Sequence, residues 1–209
     1  MDFSKIQYPT PTPWFMGVYG KAVLDGKAIP EGSRILFVKD IVDGTGYACN
    51  RPQSKNQEGL VVSWPTPWTG NGIDMAAGET FIRFCPIYGK DDPITPGNEH
   101  LPVSGDTIRI VVCTYNAIAP GGLRCTICKE TLIWSHQDFA DIGPLTTLPI
   151  GDLTGDAVVD IEDIQAMIDY LRDVNGGLLD AGLADINKDG LVDIGDMMVL
   201  ADRVFGIPR

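Results

Sequence analysis

The chain has 209 residues, 44% of them apolar, and a formal charge of −12 from 28 acidic and 16 basic side chains. That length suits two compact modules and leaves no low-complexity run. Nucleic acid is excluded as a partner, because binding phosphates demands a basic patch, and no stretch approaches the roughly 18 consecutive apolar residues of a membrane span.

The first residues, MDFSKIQYPTPTP, lack the basic and apolar regions of a signal peptide, so the sequence is expected to be a mature or trimmed form. Tyr8-Pro-Thr-Pro-Thr-Pro13 carries three prolines that fix φ and withhold amide donors, which predicts an extended arm over 1–13. From 14 to 141 the chain reads as short β-prone runs at 15–24, 34–41, 59–64, 80–88, 107–115 and 126–134, with a turn at Asp25-Gly26. Six or seven such strands, divided by Gly, Pro and Asn turns and showing no helical period, predict a β-sandwich.

All five cysteines, Cys49, Cys85, Cys113, Cys125 and Cys128, fall in this region. Cys125-Thr-Ile-Cys128 has the spacing of a redox centre or half a zinc site, yet the second pair that zinc requires is missing. If 107–116 and 123–134 form a hairpin turning at Ala119-Pro-Gly-Gly122, Cys113 lies near Cys125 or Cys128, and a structural disulfide is the preferred reading. Lys90-Asp91-Asp92-Pro93 with Glu99 and His100 reads as a polar turn before a metal loop. His100 and His136 are the only histidines and sit in no catalytic pattern. Trp64-Pro-Thr-Pro-Trp68 reads as core tryptophan with a proline turn, stacking on a sugar ring being the competing reading. No nucleophile, base and oxyanion arrangement can be picked out, so no enzyme is expected.

Residues 142–150 form a short linker with two prolines, too stiff for a long flexible tether. Beyond it, 151–209 carries 13 acids against 4 bases, a net of −9 out of the total of −12. The acids are ordered. Asp185, Asn187, Asp189, Asp193 and Asp196 occupy places one, three, five, nine and twelve of a twelve-residue stretch, with Gly190 at the sixth and the Leu191 carbonyl at the seventh. Thirty-three residues earlier stand Asp152, Thr154, Asp156, Asp160 and Asp163, with Ala157 sixth and the Val158 carbonyl seventh. A hard cation that takes six to eight oxygens needs this spacing, and the sixth place must turn tightly. Ala157 either bears left-handed strain or relaxes its loop, so the second loop is expected to bind calcium more tightly. Apolar residues at Ile161, Ile164, Met167, Ile168 and Leu171, and at Ile194, Met197, Met198, Ala201, Val204 and Phe205, trace one face of each of two following helices.

Loop then helix, twice, with Asp at the twelfth place, resembles the dockerin module, which fastens extracellular proteins to cohesins; the likeness covers about 150–208. The fold expected is a mostly β N-terminal sandwich, from the strand pattern, followed by what the resemblance implies, a small α dockerin-like module with two EF-hand-type Ca²⁺ loops, the ligands being the two sets just named. It also implies secretion, since calcium sites of extracellular modules bind weakly. A fainter resemblance, carried by Val18-Tyr-Gly-Lys-Ala-Val-Leu-Asp-Gly-Lys27, is to prealbumin-like or immunoglobulin-like sandwiches. The function implied is non-covalent docking to a cohesin-like partner or to the sandwich of another copy, the second option generating a filament unless the rotation closes, to which the arm could add a strand. The alternative is a carbohydrate-binding module with a dockerin tag. Where many dockerins present a Ser-Thr pair, this chain has Ile161-Glu162 and Ile194-Gly195, so its partner surface is expected to be more apolar.

Overall fold

A computed structural model describes residues 7–11, 14–42, 45–51, 58–63, 66–70, 73–90, 96–115, 123–136, 138–172 and 181–207. The turn at 119–122, the acidic run at 91–95, and Trp64 with Pro65 therefore lie outside the described residues. The chain divides into two compact units, one of Ile6–Asp40 with Tyr47–Thr147, the other holding Leu148–Arg209.

The first unit is built of β1 (Phe15–Lys21), β2 (Val23–Leu24), β3 (Lys27–Ala28), β4 (Arg34–Val42), β5 (Thr45–Ala48), β6 (Val61–Ser63), β7 (Trp68–Gly70), β8 (Ile73–Met75), β9 (Thr80–Tyr88), β10 (Thr107–Tyr115), β11 (Leu123–Ile133) and β12 (Phe139–Asp141). Two four-stranded sheets run in the orders β12-β1-β9-β6 and β11-β10-β4-β5, with β2-β3 and β7-β8 as separate hairpins. β9 and β10 coincide with the predicted runs, and β11 starts three residues earlier than 126. The run expected over 15–24 breaks at Ala22, whose amide donates to the Thr80 carbonyl and whose carbonyl accepts from Ile29. Asp25 and Gly26 both take positive φ, 50° and 72°, as the tight turn between β2 and β3 requires.

Side chains two apart share a face of a strand, and Ile108, Ile110 and Val112 of β10 use that period to meet Ile35 and Phe37 of β4. From the other sheet come Met16, Val18, Ile82, Cys85 and Ile87, and all of these belong to one buried cluster. Burying each such side chain contributes about 1.5–3 kcal/mol. Trp134 joins them with its indole Nε1 donating to the Ile87 carbonyl at 3.0 Å. Gly89 makes room for that ring, since a Cβ there would stand 2.1 Å from Trp134 Cζ2.

Two buried polar side chains serve the backbone. Asn50 Oδ1 accepts from the Phe37 amide and Nδ2 donates to the Ile35 carbonyl, so the side chain acts as a strand partner for β4. Glu58 accepts from the Tyr88 hydroxyl and from the Arg51 amide.

Cys113 and Cys125 lie directly opposite in the β10-β11 ladder and form a disulfide. Of the two partners left open by the sequence, the structure selects Cys125. Cys49, Cys85 and Cys128 are buried thiols outside it. Burial, then the charges of Glu130 and Asp25, push the Cys128 thiol up to about 12, and burial raises Cys85 further still. A cross-strand disulfide fits an oxidising, extracellular setting.

The second unit holds α1 (Ile161–Leu171), α2 (Ala181–Ala184) and α3 (Ile194–Phe205). α1 and α3 pack together over Met167, Ala184, Ile186 and Leu200, with Val159, Ile164, Val192 and Met197 partly buried against them. The chain is thus mostly β sheet followed by two packed helices. Among the described residues no helix is long and apolar enough to cross a membrane.

Candidate metal centre

Both predicted loops lead straight into a helix, and the same side chains start it. Asp160 is the N-cap of α1 and accepts from Glu162 N, while Asp163 reaches back to the Asp160 amide. Asp193 and Asp196 repeat this at α3, with Gly195 N as the donor. A capping box satisfies two of the amides that every helix start leaves open.

Most loop bonds recur across the 33-residue offset, although Asp152 Oδ1 accepts from the fourth amide, Gly155 N, where Asp185 Oδ1 accepts from the fifth, Asp189 N. Asp163 Oδ1 accepts from Leu153 N and Thr154 N, at 2.7 and 2.9 Å, and Asp196 Oδ1 from Ile186 N and Asn187 N, at 2.6 and 3.0 Å. Asp152 Oδ2 accepts from the sixth amide, Ala157 N, at 2.8 Å, as Asp185 Oδ2 does from Gly190 N at 3.0 Å. Asp156 bonds Val158 N and Asp189 bonds Leu191 N. In the second loop Asn187 Oδ1 also accepts from Asp189 N. These amides, all within the loops, fold the chain around the first and twelfth carboxylates.

Ala157 does adopt the left-handed conformation, φ 71°, where Gly190 has φ 90°. Of the two outcomes foreseen for Ala157, strain is the one observed. A second left-handed position was missed: at the fourth place Gly155 has φ 78° and Lys188 has φ 62°. Each loop therefore contains one glycine and one non-glycine residue in this region. The glycine at Gly155, alone at that place in the pair, was the available signal.

Asp152, Asp163 and Asp196 are fully buried. Asp160, Asp185, Asp193 and Thr154 are half-buried, and Asp156, Asp189 and Asn187 are exposed. Burial pushes the Asp152 carboxyl up, against the Gly155 and Ala157 amides, and the carboxylates of Asp163 and Asp156 push it the same way. Asp196 goes the other way: burial raises it, but the amides of Asn187, Asp193 and Ile186 outweigh that and hold it below the usual carboxylate range. Buried carboxylates drawn together in this way suit a cation, because an ion removes the cost of burying like charges. They are held by amides rather than gathered into a finished cage; among the described residues no three His, Cys, Asp or Glu side chains stand ready to hold a metal.

Around the loops the surface is apolar in the same duplicated pattern. Val158 and Leu191 are 53% and 64% exposed, Ile161 and Ile194 62% and 63%. Both isoleucines belong to the helical stripes read from the sequence, and each stands exposed at its helix start, outside the cluster around Met167 and Leu200.

The remaining candidate features of the sheet unit make local contacts. His136 lies against Trp14 in a tilted arrangement with ring centroids 4.2 Å apart, and His100 stacks on Tyr47 at 3.7 Å. Glu99 accepts from Gly97 N in a turn. Of the Trp64–Trp68 stretch that carries the sugar-stacking reading, Trp64 and Pro65 lie outside the described residues, and the backbone of Trp68 begins β7. A scan of the chain against protein-family models gave no match, and comparisons with curated proteins and with solved structures gave none either.

Proposed function

We propose that the second unit is a dockerin-like module binding two Ca²⁺ ions, that the first is a β-sandwich carried with it, and that the chain is a secreted, non-enzymatic assembly protein. The observation that carries this reading is the duplicated loop scaffold, in which equivalent amides orient equivalent carboxylates. Asp152, Thr154, Asp156, Asp160, Asp163 and the Val158 carbonyl would hold one ion. Asp185, Asn187, Asp189, Asp193, Asp196 and the Leu191 carbonyl would hold the other. Calcium supplies counter-charge and fixes the loops; no chemistry follows from it.

Docking then uses the four exposed apolar side chains beside the loops, whose like exposures support a two-fold related pair of contact patches. The occupant is a β-sandwich, either a cohesin-like module or the sandwich of another copy. Residues 151–209 carry a net charge of −9 and residues 1–150 one of −3, so attraction between copies comes from apolar burial rather than charge.

Calorimetry of the whole chain, with calcium and after chelation, tests the reading together with light scattering on a sizing column. At free calcium about 1,000 times the dissociation constant each site adds about 4.1 kcal/mol, so the helical unit should lose most of its stability on chelation. An identical melting profile in both conditions overturns it. A calcium-dependent shift from monomer to polymer identifies another copy as the partner, and a monomer in both conditions assigns docking to a separate cohesin-like protein.

A further inference from the structure

The first and last strands of the sheet unit are neighbours and run the same way. β1 pairs with β12 in parallel, Gly17 opposite Phe139, Val18 opposite Ala140 and Tyr19 opposite Asp141. Gly17 N donates to the Asp138 carbonyl at 2.8 Å, and Ile142 N to the Tyr19 carbonyl at 3.1 Å. Further along the same two stretches, Leu24 bridges Leu145, again in parallel. There Leu145 N donates to the Val23 carbonyl at 2.8 Å and Asp25 N to the Leu145 carbonyl at 2.9 Å. Thr147 closes the seam, its amide and hydroxyl both donating to the Asp25 carboxylate at 2.9 and 3.0 Å.

Because the strands are parallel, the chain enters the seam at one end and leaves it at the other. Tension between the N-terminal arm and the segment after Thr147 then runs along the seam and loads its hydrogen bonds together. An antiparallel terminal pair would be pulled from a single end and would open one rung at a time. Sliding is opposed by packing as well, since Val18, Ile142 and Leu145 are buried in the core from this seam.

We propose that this parallel seam is a tension clamp, which keeps the sheet unit folded while load passes between its N-terminal stretch and the C-terminal unit. Tension-bearing suits a tether, but the clamp itself needs neither calcium nor a docking partner. Single-molecule force measurements on the full chain test it, because lifetime under load is governed by the unfolding rate. One geometry has handles at the two termini. The other has handles at the N-terminus and at Asp138→Cys, an exposed residue at the start of β12, so that the seam peels. Release of the sheet unit is recognised by its length gain, about 3.5 Å per freed residue. Even if only three of the six bonds described break together rather than singly, the lifetime at equal force should lengthen about 25-fold, taking about fivefold for each of two further hydrogen bonds. Equal lifetimes in the two geometries, or a longer one on peeling, overturn the clamp. Chelating calcium should leave the sheet-unit lifetimes unchanged, so failure of the docking reading and failure of the clamp are separately visible.

Discussion

The sixth place of each loop offers a matched pair of substitutions with opposite signs. Ala157 and Gly190 both have left-handed backbone, φ 71° and 90°. A Cβ added at Gly190 meets nothing within 4 Å, so Gly190→Ala introduces no clash and its cost is that of the backbone alone. An L-residue in this region loses about 1–2 kcal/mol, of which about 0.4–1 is recovered because alanine restricts the unfolded chain. The net is a destabilisation of about 1 kcal/mol. Ala157→Gly removes the same strain and should stabilise by a similar amount. In a unit of this size about 1 kcal/mol moves Tm by roughly 4–8 °C. Thermal melts followed by far-UV circular dichroism read the shift, and the double variant should return to the parent Tm because the two residues act in separate loops. A neutral Gly190→Ala, or a lowered Tm for Ala157→Gly, would refute the claim that left-handed backbone at this place shapes the loops.

Two further substitutions probe the sheet unit. Gly89→Ala drives a Cβ into the buried Trp134 ring and strains its bond to the Ile87 carbonyl; a loss of about 1–3 kcal/mol is expected, read from urea unfolding by tryptophan fluorescence, and an unshifted midpoint would show that the ring moves freely aside. Lys39 lies 2.8 Å from Asp106, and with the Val103 amide holds that carboxyl below its usual range. A lowered folded value means that the stabilisation is complete above the ordinary carboxylate pKa, near about 3.9, and is lost as pH falls through the folded value. Asp106→Asn should therefore weaken the protein at pH 7 by less than about 1 kcal/mol, and the gap should close on acidification; a gap independent of pH would show that charge is not its source.

What was legible in the sequence is what local pattern determines. β9 and β10 are long and apolar enough to announce themselves, and a twelve-residue loop carries its own donors, so its scaffold can be written from spacing alone. β12 has three residues, Phe139 to Asp141, only the middle one partly buried, and it is a strand because β1 lies beside it, more than a hundred residues away in sequence. Asn50 likewise gives no sign in the sequence of its place, and only its bonds to Phe37 and Ile35 of β4 make it part of the core. By contrast the place of Ile161 was legible: it shares the period of Met167 but stands at the loop's tenth place, at the helix start, and it is exposed there. Lys188 gave no signal at all, since lysine rarely adopts positive φ.

That last residue alters the argument about the two loops. From the sequence, the second loop has the advantage because glycine occupies its sixth place, but the first loop has glycine at the fourth place, where the second has Lys188 at φ 62°. Each loop carries one left-handed residue with a side chain, so strain cancels between them to first order and ranks neither site. The donors remain different. Asn187 offers a carbonyl oxygen already turned inward by the Asp189 amide, whereas Thr154 offers a hydroxyl, a weaker ligand for a hard cation. Against this, Asp152 is fully buried where Asp185 is half-buried, and its like-charged neighbours make a cation there worth more once bound. Burial also lets a proton compete at Asp152, because its carboxyl is pushed up. If both loops hold calcium as proposed, their order would be set by donor chemistry and buried charge, and the first should lose its ion to acid before the second. Calcium titrations of Asp185→Ala and Asp152→Ala, each at neutral and mildly acidic pH, check this, and equal weakening of the two residual sites would refute it.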